Sequence, residues 1–321
     1  MAITLSDMIN EVSMNLSGYT LTQDRSTYLK TAITTTTSSS AAPLTISLGS
    51  TANVGMGTIE IDEELLWVDT YDRVSNTAIV APYGRGYLGT TAATHTADTK
   101  VTISPTFPRF TIKRAINDTI NALGSSIFAA ATTTITSNAA VAAFRLPATG
   151  SSLNIRNILA VAYQSIGASK EWIPIRSWRL DNNANTTAFT SGQTISIYDR
   201  VPSGRTIQIV YSKDPAVFTT TIDATYTTLT AINNQDFATI TGLPDSCKDL
   251  TILGATYRLL TNLDPARAAM VSPQADETDS KRPFGTSQSL TKSIYGLYSQ
   301  RLAEEIKKQE NRYPIRVHYS L

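Results

Sequence analysis

The sequence predicts a mixed α+β fold in which a helical core carries two β insertions, one a small antiparallel barrel or sandwich and the other a larger β-sandwich. Three observations predict it. A run from Phe107 to Gly124 places Ile112, Ile116, Thr119, Ile120 and Leu123 at helical spacing. Long stretches on both sides of it alternate in strand-length pieces punctuated by glycine and asparagine. Helical periodicity then returns at both ends of the chain. The expected organisation is a helical segment and linker over 1–43, a small β module over 44–104, a joining helix over 105–131, a β-sandwich over 132–245, and helices with an extended tail over 246–321.

Each element has a local reason. Leu5, Met8, Ile9, Val12 and Leu16 predict a first helix, with Ser6 near its start and Gly18 past its end. Asp24 followed by Tyr28, Leu29, Ala32 and Ile33 predicts a second, shorter one, and the Thr/Ser run from Thr34 to Ala42 reads as a linker or an extended edge. Strands are expected at Thr45–Leu48, Thr58–Ile61, Leu65–Thr70, Ala78–Ala81 and Lys100–Ile103. Pro108 suits the opening of the joining helix because first-turn amides have no intrahelical partner, and Gly124 suits a left-handed close.

The second β region is expected from about Thr132 to Ile240. Its strands fall at Asn154–Tyr163, Glu171–Arg179, Thr194–Tyr198 and Thr206–Ser212, with Ile173, Ile175, Ile195, Ile197, Ile207 and Ile209 opposite polar partners. Asp249 is a candidate N-cap for a helix bearing Leu250, Leu253, Tyr257 and Leu260, and Asp264-Pro265 stops it and opens another short helix. Ser272–Ser287 reads as a loop. A last helix from about Ser289 carries Leu290, Ile294, Tyr298, Leu302 and Ile306, and past Pro314 the segment Ile315–Tyr319 alternates like a strand.

Composition excludes some classes. The chain has 321 residues, 41% hydrophobic and 17% charged, enough apolar surface for two or three cores. A net charge of +1 leaves only local binding to nucleic acid or an anionic membrane. The single Cys247 excludes an internal disulfide framework; its neighbours predict an inert buried thiol, and a reducing compartment is expected. Neither a basic-then-apolar leader nor a run of eighteen apolar residues occurs, so no signal peptide or membrane span is expected.

Candidates for chemistry are weak. The turn carrying Arg85, Gly86, Gly89, Thr90, Thr91 and His95 lacks the lysine and following helix of a phosphate-binding loop. His95 and His318 are the only histidines, too few for a histidine-rich metal cage. Asp62, Glu63, Glu64, Asp69 and Asp72 read as a solvated face or an interface, because strand alternation separates neighbouring carboxylates. Asp181, Asn183 and Asn185 match three positions of a calcium loop, but Thr186 and Gly192 replace its glycine and bidentate glutamate. Trp172, Trp178 and Tyr163 read as core, with a carbohydrate-binding platform as the alternative. No catalytic residue, cofactor or metal is expected, and a hydrolase built on the acidic cluster would require two carboxylates converging in a pocket.

One stretch resembles a known module. Gly57-Thr58-Ile59-Glu60-Ile61-Asp62-Glu63-Glu64 with Val68, then Tyr83-Gly84-Arg85-Gly86-Tyr87-Leu88-Gly89-Thr90-Thr91-Ala92-Ala93-Thr94-His95 and Val101, is similar to a module of tailed-bacteriophage virion proteins. The usual glycine after the histidine is absent, with Asp98 and Lys100 in that region. In physical terms, Gly84, Gly86 and Gly89 permit positive φ and close backbone approach in a sharp hairpin. Arg85 and His95 can bond carbonyls left unpaired by the turn.

The wider layout resembles head-to-tail connector, or neck adaptor, proteins. That resemblance implies a non-enzymatic structural protein of the virion neck, made in the host cytoplasm. It also implies a homo-oligomeric, dodecameric ring with the portal protein and a downstream neck or tail protein as partners. DNA would pass through the channel without sequence recognition, and no membrane is involved. A phage tail or baseplate protein is the alternative within virions, and a carbohydrate-binding β-sandwich module the alternative from another class.

On this reading Gly84, Arg85, Gly86, Gly89, Thr90 and His95 form a structural hairpin at an interface. From Lys281 to Leu321 eight cationic residues face three glutamates. The last helix is expected to project, with Tyr313, Ile315, Arg316, Val317, His318, Tyr319 and Leu321 docking on the portal as an added strand.

Overall fold

In the computed structural model, residues 3–18, 24–36, 42–141, 143–147, 154–166, 170–261 and 286–314 are described. The first helix, α1 (Leu5–Ser17), starts one residue earlier than Ser6 suggested. Thr4 is its N-cap, and Thr4 and Asp7 exchange side-chain and backbone hydrogen bonds in a capping box. Leu5, Met8, Ile9, Val12 and Leu16 are all buried, as their spacing requires.

The expected second helix is instead a strand, β1 (Arg25–Tyr28), so the N-terminal β unit begins before residue 44. It is followed by β2 (Leu44–Ser47), β3 (Gly57–Ile61), β4 (Glu64–Asp72), β5 (Thr77–Val80) and β6 (Lys100–Ile103). All six pair antiparallel in the order β1-β6-β3-β4-β5-β2. Pairing of Arg25 with Ile103 across the sheet overrides the weak helical spacing of Tyr28, Leu29 and Ile33, because a short segment gains more from ladder bonds than from propensity. The sheet is not closed into a barrel; its edges β1 and β2 meet at the isolated bridge Leu29–Leu48. Ile46, Leu48, Ile59, Ile61, Leu66, Val68, Val80 and Val101 fill its core together with Leu29 and Ile33. Ile33 also bridges His95, and the Thr35 carbonyl at the start of the expected linker accepts from Arg85, so this end of the linker is tied to the sheet.

The joining helix is α2 (Arg109–Leu123), with Pro108 at the N-cap. Every residue of its predicted apolar face is buried. Gly124 closes it with φ −55°, a right-handed and not the expected left-handed close. The reason for glycine there is crowding: a Cβ would lie 3.2 Å from the Asn121 carbonyl oxygen and 3.3 Å from Pro215 Cδ.

Seven further strands follow: β7 (Ala129–Thr136), β8 (Ala143–Arg145), β9 (Asn157–Gln164), β10 (Trp172–Pro174), β11 (Trp178–Asp181), β12 (Thr194–Ile197) and β13 (Thr206–Lys213). They make a four-stranded sheet, β10-β9-β13-β7, and a three-stranded sheet, β11-β12-β8. One apolar cluster draws Ile135, Val161, Ile207 and Ile209 from the first and Ile195 with the half-buried Phe144 and Leu180 from the second. The single strand expected over Glu171–Arg179 is divided between the two sheets. Strands also end earlier than expected. Residues beyond Lys213 carry the short helices α3 (Leu229–Asn233) and α4 (Phe237–Thr241), and Phe218, Ile232, Phe237 and Leu243 belong to the helical core.

That core is built from α1, α2, α5 (Lys248–Leu260) and α6 (Thr286–Arg312). Helix α5 starts one residue before Asp249, and Cys247 occupies its N-cap without a side-chain cap. It is buried on more than the predicted stripe: Thr251, Ile252, Ala255 and Thr256 are covered as well as Leu250 and Leu260. Gly254 permits this, since a Cβ there would stand 2.2 Å from Thr119 Cγ2 of α2. Helix α6 does not project: Ile294 and Tyr298 are buried in the core, with Leu302 and Ile306 packed against it. Tyr313 stacks at 5.8 Å on Phe128 and is therefore seated on the body. The short helix after Asp264-Pro265, most of the loop Ser272–Ser287, the side chain of Leu290 and the tail Ile315–Leu321 lie outside the described residues. Among the described residues, no helix is long and apolar enough to cross a membrane.

Candidate functional site: a buried charge hub and the loop it holds

The turn between β3 and β4 holds Asp62 at φ 55° and divides three successive carboxylates, with Asp62 and Glu64 meeting on His95 and Glu63 turned to α2. Glu64, fully buried, receives Arg85 Nε at 2.6 Å and the Gly86 amide at 3.0 Å on one oxygen. Its other oxygen receives Arg85 Nη2 at 2.8 Å, the Ala93 amide at 3.0 Å and His95 Nε2 at 2.9 Å. Asp62, exposed, accepts from His95 Nδ1 at 2.8 Å. Glu63, buried, pairs with Lys113 of α2. Three residues before Glu63, buried Glu60 accepts the Arg109 amide at 2.6 Å, supplying the cap that Pro108 lacks.

The electrostatics follow from these partners. Burial raises the Glu64 carboxyl, but Arg85, His95 and the Ala93 amide outweigh it and hold its pKa at about 2. Burial lowers His95, and the two carboxylates facing its ring nitrogens reverse that, so its pKa is raised. An ionised carboxylate only accepts, so both ring nitrogens donate and the ring is imidazolium. Burial pushes Glu60 up to about 7 despite the Arg109 amide, and lowers Lys113 despite Glu63. With five donors on two oxygens, Glu64 has no lone pair for a substrate and no proton to give near neutral pH.

The acidic cluster therefore divides. Asp69 and Asp72 are exposed as expected, but Glu63 and Glu64 are buried and paired, which corrects the solvated-face reading for those two. Neighbouring carboxylates do face different ways, but Lys113 of α2 covers Glu63 and the loop carrying Arg85 and His95 covers Glu64, so neither is left to solvent. Glu60, Glu64 and Lys113 were missed as site residues. The available signal was that Asp62 and Glu64 stand in the same motif as Arg85 and His95, opposite charges that must meet if the segment folds as one unit.

The predicted hairpin residues are brought together, though not as a hairpin. Residues 84–95 form a loop with a 3₁₀ turn at Tyr87–Gly89 and no ladder across it. Gly86 and Gly89 take φ 63° and 83°. Gly84 has no positive φ; it allows close approach, since a Cβ would lie 2.8 Å and 2.9 Å from the Ala81 and Trp67 carbonyl oxygens. Arg85 does bond carbonyls, those of Ala93 at 2.6 Å and Thr35 at 3.0 Å. His95 bonds carboxylates through its ring instead. Thr90 accepts the Leu65 amide at 3.0 Å and donates to the Tyr87 carbonyl. Held this way, the loop presents Tyr83 and Leu88, 64% and 69% exposed and at φ 57° and 55°, a conformation that bulky side chains rarely adopt.

Elsewhere, burial pushes the Cys247 thiol up to about 12, as an inert thiol requires. Asp181 and Asn185 bond the backbone amides of Asn183 and Thr187 and so close local turns. Among the described residues no group of three or more His, Cys, Asp or Glu side chains is placed to hold a metal ion. Of the docking-tail residues only Tyr313 is described; Ile315, Arg316, Val317, His318, Tyr319 and Leu321 lie outside. No family model matches this chain, and no curated protein is significantly similar to it.

Proposed function

We propose that the chain is a structural virion protein of a tailed phage, a neck adaptor that joins portal to tail as an oligomeric ring around the DNA channel and performs no catalysis. The observation that carries this reading is the fate of the residues behind the virion-module resemblance. Asp62, Glu64, Arg85, Gly86, Thr90 and His95 all go into holding one rigid loop whose exposed tip is apolar and strained. Strain of this kind persists where the surroundings over-determine it, and a contact surface is one use for it. The finer architecture, a helical core with two β insertions of which the second is a β-sandwich, belongs to the same proposal. In the ring, the loop Tyr83–Thr90 makes the lateral contact, and the C-terminal segment past Pro314 docks on the portal.

The test is negative-stain microscopy of the pure protein mixed with portal. Rings of defined order on the portal are the expected result, lost in Tyr83→Asp/Leu88→Asp but with circular dichroism unchanged. Rings that form without engaging portal would move the protein to the tail or baseplate, and a monomer at all concentrations would sink the reading. A second reading, carbohydrate binding, has one observation in its favour: Trp172 is 43% exposed on edge strand β10. A glycan array with the parent protein and Trp172→Ala separates the two.

A further inference from the structure

The contact between Glu63 and Lys113 is unlike the rest of the charge hub. Both side chains are buried, Lys113 completely, and the contact ties the β3–β4 turn to α2 across 50 residues. Glu64 is surrounded by donors, whereas Glu63 has one: its Oε2 meets Lys113 Nζ, and its Oε1 is buried with no hydrogen-bond partner. Lys113 in turn brings three donors to that one acceptor. Two ions taken out of water need further hydrogen bonds to offset their desolvation, and this pair has none. Glu60 lines the same cleft as Glu63. Burial pushes its carboxyl up to about 7 against the Arg109 amide, and the charge of Glu63 adds to the rise, so a proton is held beside the pair near neutral pH.

We propose that Lys113 and Glu63 condense into an intramolecular amide, Nζ bonded to Cδ, with Glu60 as the acid and base of the step. The Lys113 ammonium passes one proton to the Glu63 carboxylate, leaving an amine and a carboxylic acid. Burial, which lowers the Lys113 pKa, favours that exchange. The nitrogen attacks Cδ and forms the C–N bond. A carboxyl C–O bond breaks as Glu60 protonates the departing hydroxyl, and Glu60 takes a proton back from the nitrogen. One water leaves, and nothing is oxidised or reduced. The product puts one N–H and one carbonyl where two poorly bonded ions stood, and neutral groups cost far less to bury. Glu64 cannot react in the same way, because its cationic partners Arg85 and His95 carry no primary amine. Lys308 and Glu305 pair at 2.6 Å, but the Lys308 side chain is 60% exposed, so water already solvates that ammonium.

The experiment is mass spectrometry of the full chain, denatured after incubation at neutral pH. A mass one water below that of the sequence is expected, with protease fragments carrying Glu63 and Lys113 joined. Lys113→Arg keeps the cation but has no primary amine to condense, and should show the full mass. Glu60→Gln keeps an acceptor for the Arg109 amide but has no proton to exchange, and conversion should slow about a hundredfold, the lower end for general acid–base catalysis. Full mass in the parent, or a lost water that maps to other residues, overturns the proposal, and neither result depends on how a variant folds. Conversion in Glu60→Gln at the parent's rate would overturn the part given to Glu60. The bond does not depend on the ring reading, and either can fail alone.

Discussion

The six-stranded sheet and the pair of sheets beyond α2 use the same antiparallel pairing but are specified differently. In the second region the buried polar side chains are uncharged, Ser137, Gln193, Thr194 and Ser212, around an aliphatic core. In the first, Glu60, Glu63, Glu64, Arg85 and His95 are buried with Lys113 of the neighbouring helix; among the described residues the other buried charged side chain is Glu305. An aliphatic core tolerates small adjustments because dispersion and burial are non-directional. A buried ionic hub is not a stronger glue, since desolvation offsets much of the attraction, but it accepts very few arrangements. The contrast teaches that the first sheet is built to hold one loop and one helix end in register.

Removing the hub's centre should give the largest effect. Glu64→Ala strands Arg85 and His95 in the interior, at a cost of about 3–5 kcal/mol, the usual scale for breaking a buried pair. Urea unfolding followed by Trp67, which packs on Tyr87 at 5.2 Å, reads it in a variant lacking Trp172 and Trp178. Parent-like melting would mean that the two regions are not specified differently.

Next in size is Gly86→Val, which places a β-branched residue at φ 63° and should cost about 1–3 kcal/mol. Hydrogen exchange should show the loss in the first sheet alone; protection lost equally in both regions would contradict their separateness. As the matched perturbation of the aliphatic core, Ile209→Val should cost about 0.5–1.5 kcal/mol and leave the first sheet untouched.

Titration weakens the hub without removing an atom, so a smaller effect is expected. His95 has a raised pKa, so its stabilisation is complete below its unfolded value near 6.5 and is lost as pH rises through the folded one. Glu64 works oppositely: its contribution is present above 4.5 and is lost as pH falls through about 2. Glu60, raised to about 7, disfavours the folded state increasingly as pH climbs from 4.5 to 7. The first sheet should therefore be most stable near pH 4.5 and lose stability as pH rises from there, through Glu60 up to about 7 and through His95 above 6.5. A flat profile for Trp67 fluorescence over that span and above it would remove His95 and Glu60 from the account. The smallest effect belongs to Trp172→Ala on the exposed edge of the second region, within about 0.5 kcal/mol by thermal melting. A larger loss would place that indole in the core.

Local periodicity was legible wherever one face of an element is buried. The apolar stripes of α1 and α2 and the strands from Leu44 to Val80 follow from it, because a 3.6-residue or two-residue repeat needs no knowledge of the partner. Short or edge segments were not legible. Arg25–Tyr28 has too few residues to display a period, and Ala129–Thr136 is too uniformly Ala and Thr to alternate. The last helix carries a basic surplus that suits projection, but its stripe Ile294, Tyr298, Leu302 and Ile306 finds a partner in α5, and a stripe does not name its partner in the sequence.

The sequence by itself determined the apolar stripes of the long helices, that the chain mixes helices with antiparallel strands, and that Arg85, His95 and the glycines around them form one local unit. Only the tertiary structure decided which charged partners that unit meets. Glu64 meets Arg85 across 21 residues and His95 across 31, and Glu63 meets Lys113 across 50. Ionic pairing at such separations depends on where two elements come to rest. A carboxylate looks the same in the sequence whether water or a guanidinium receives it, and burial alone makes the difference.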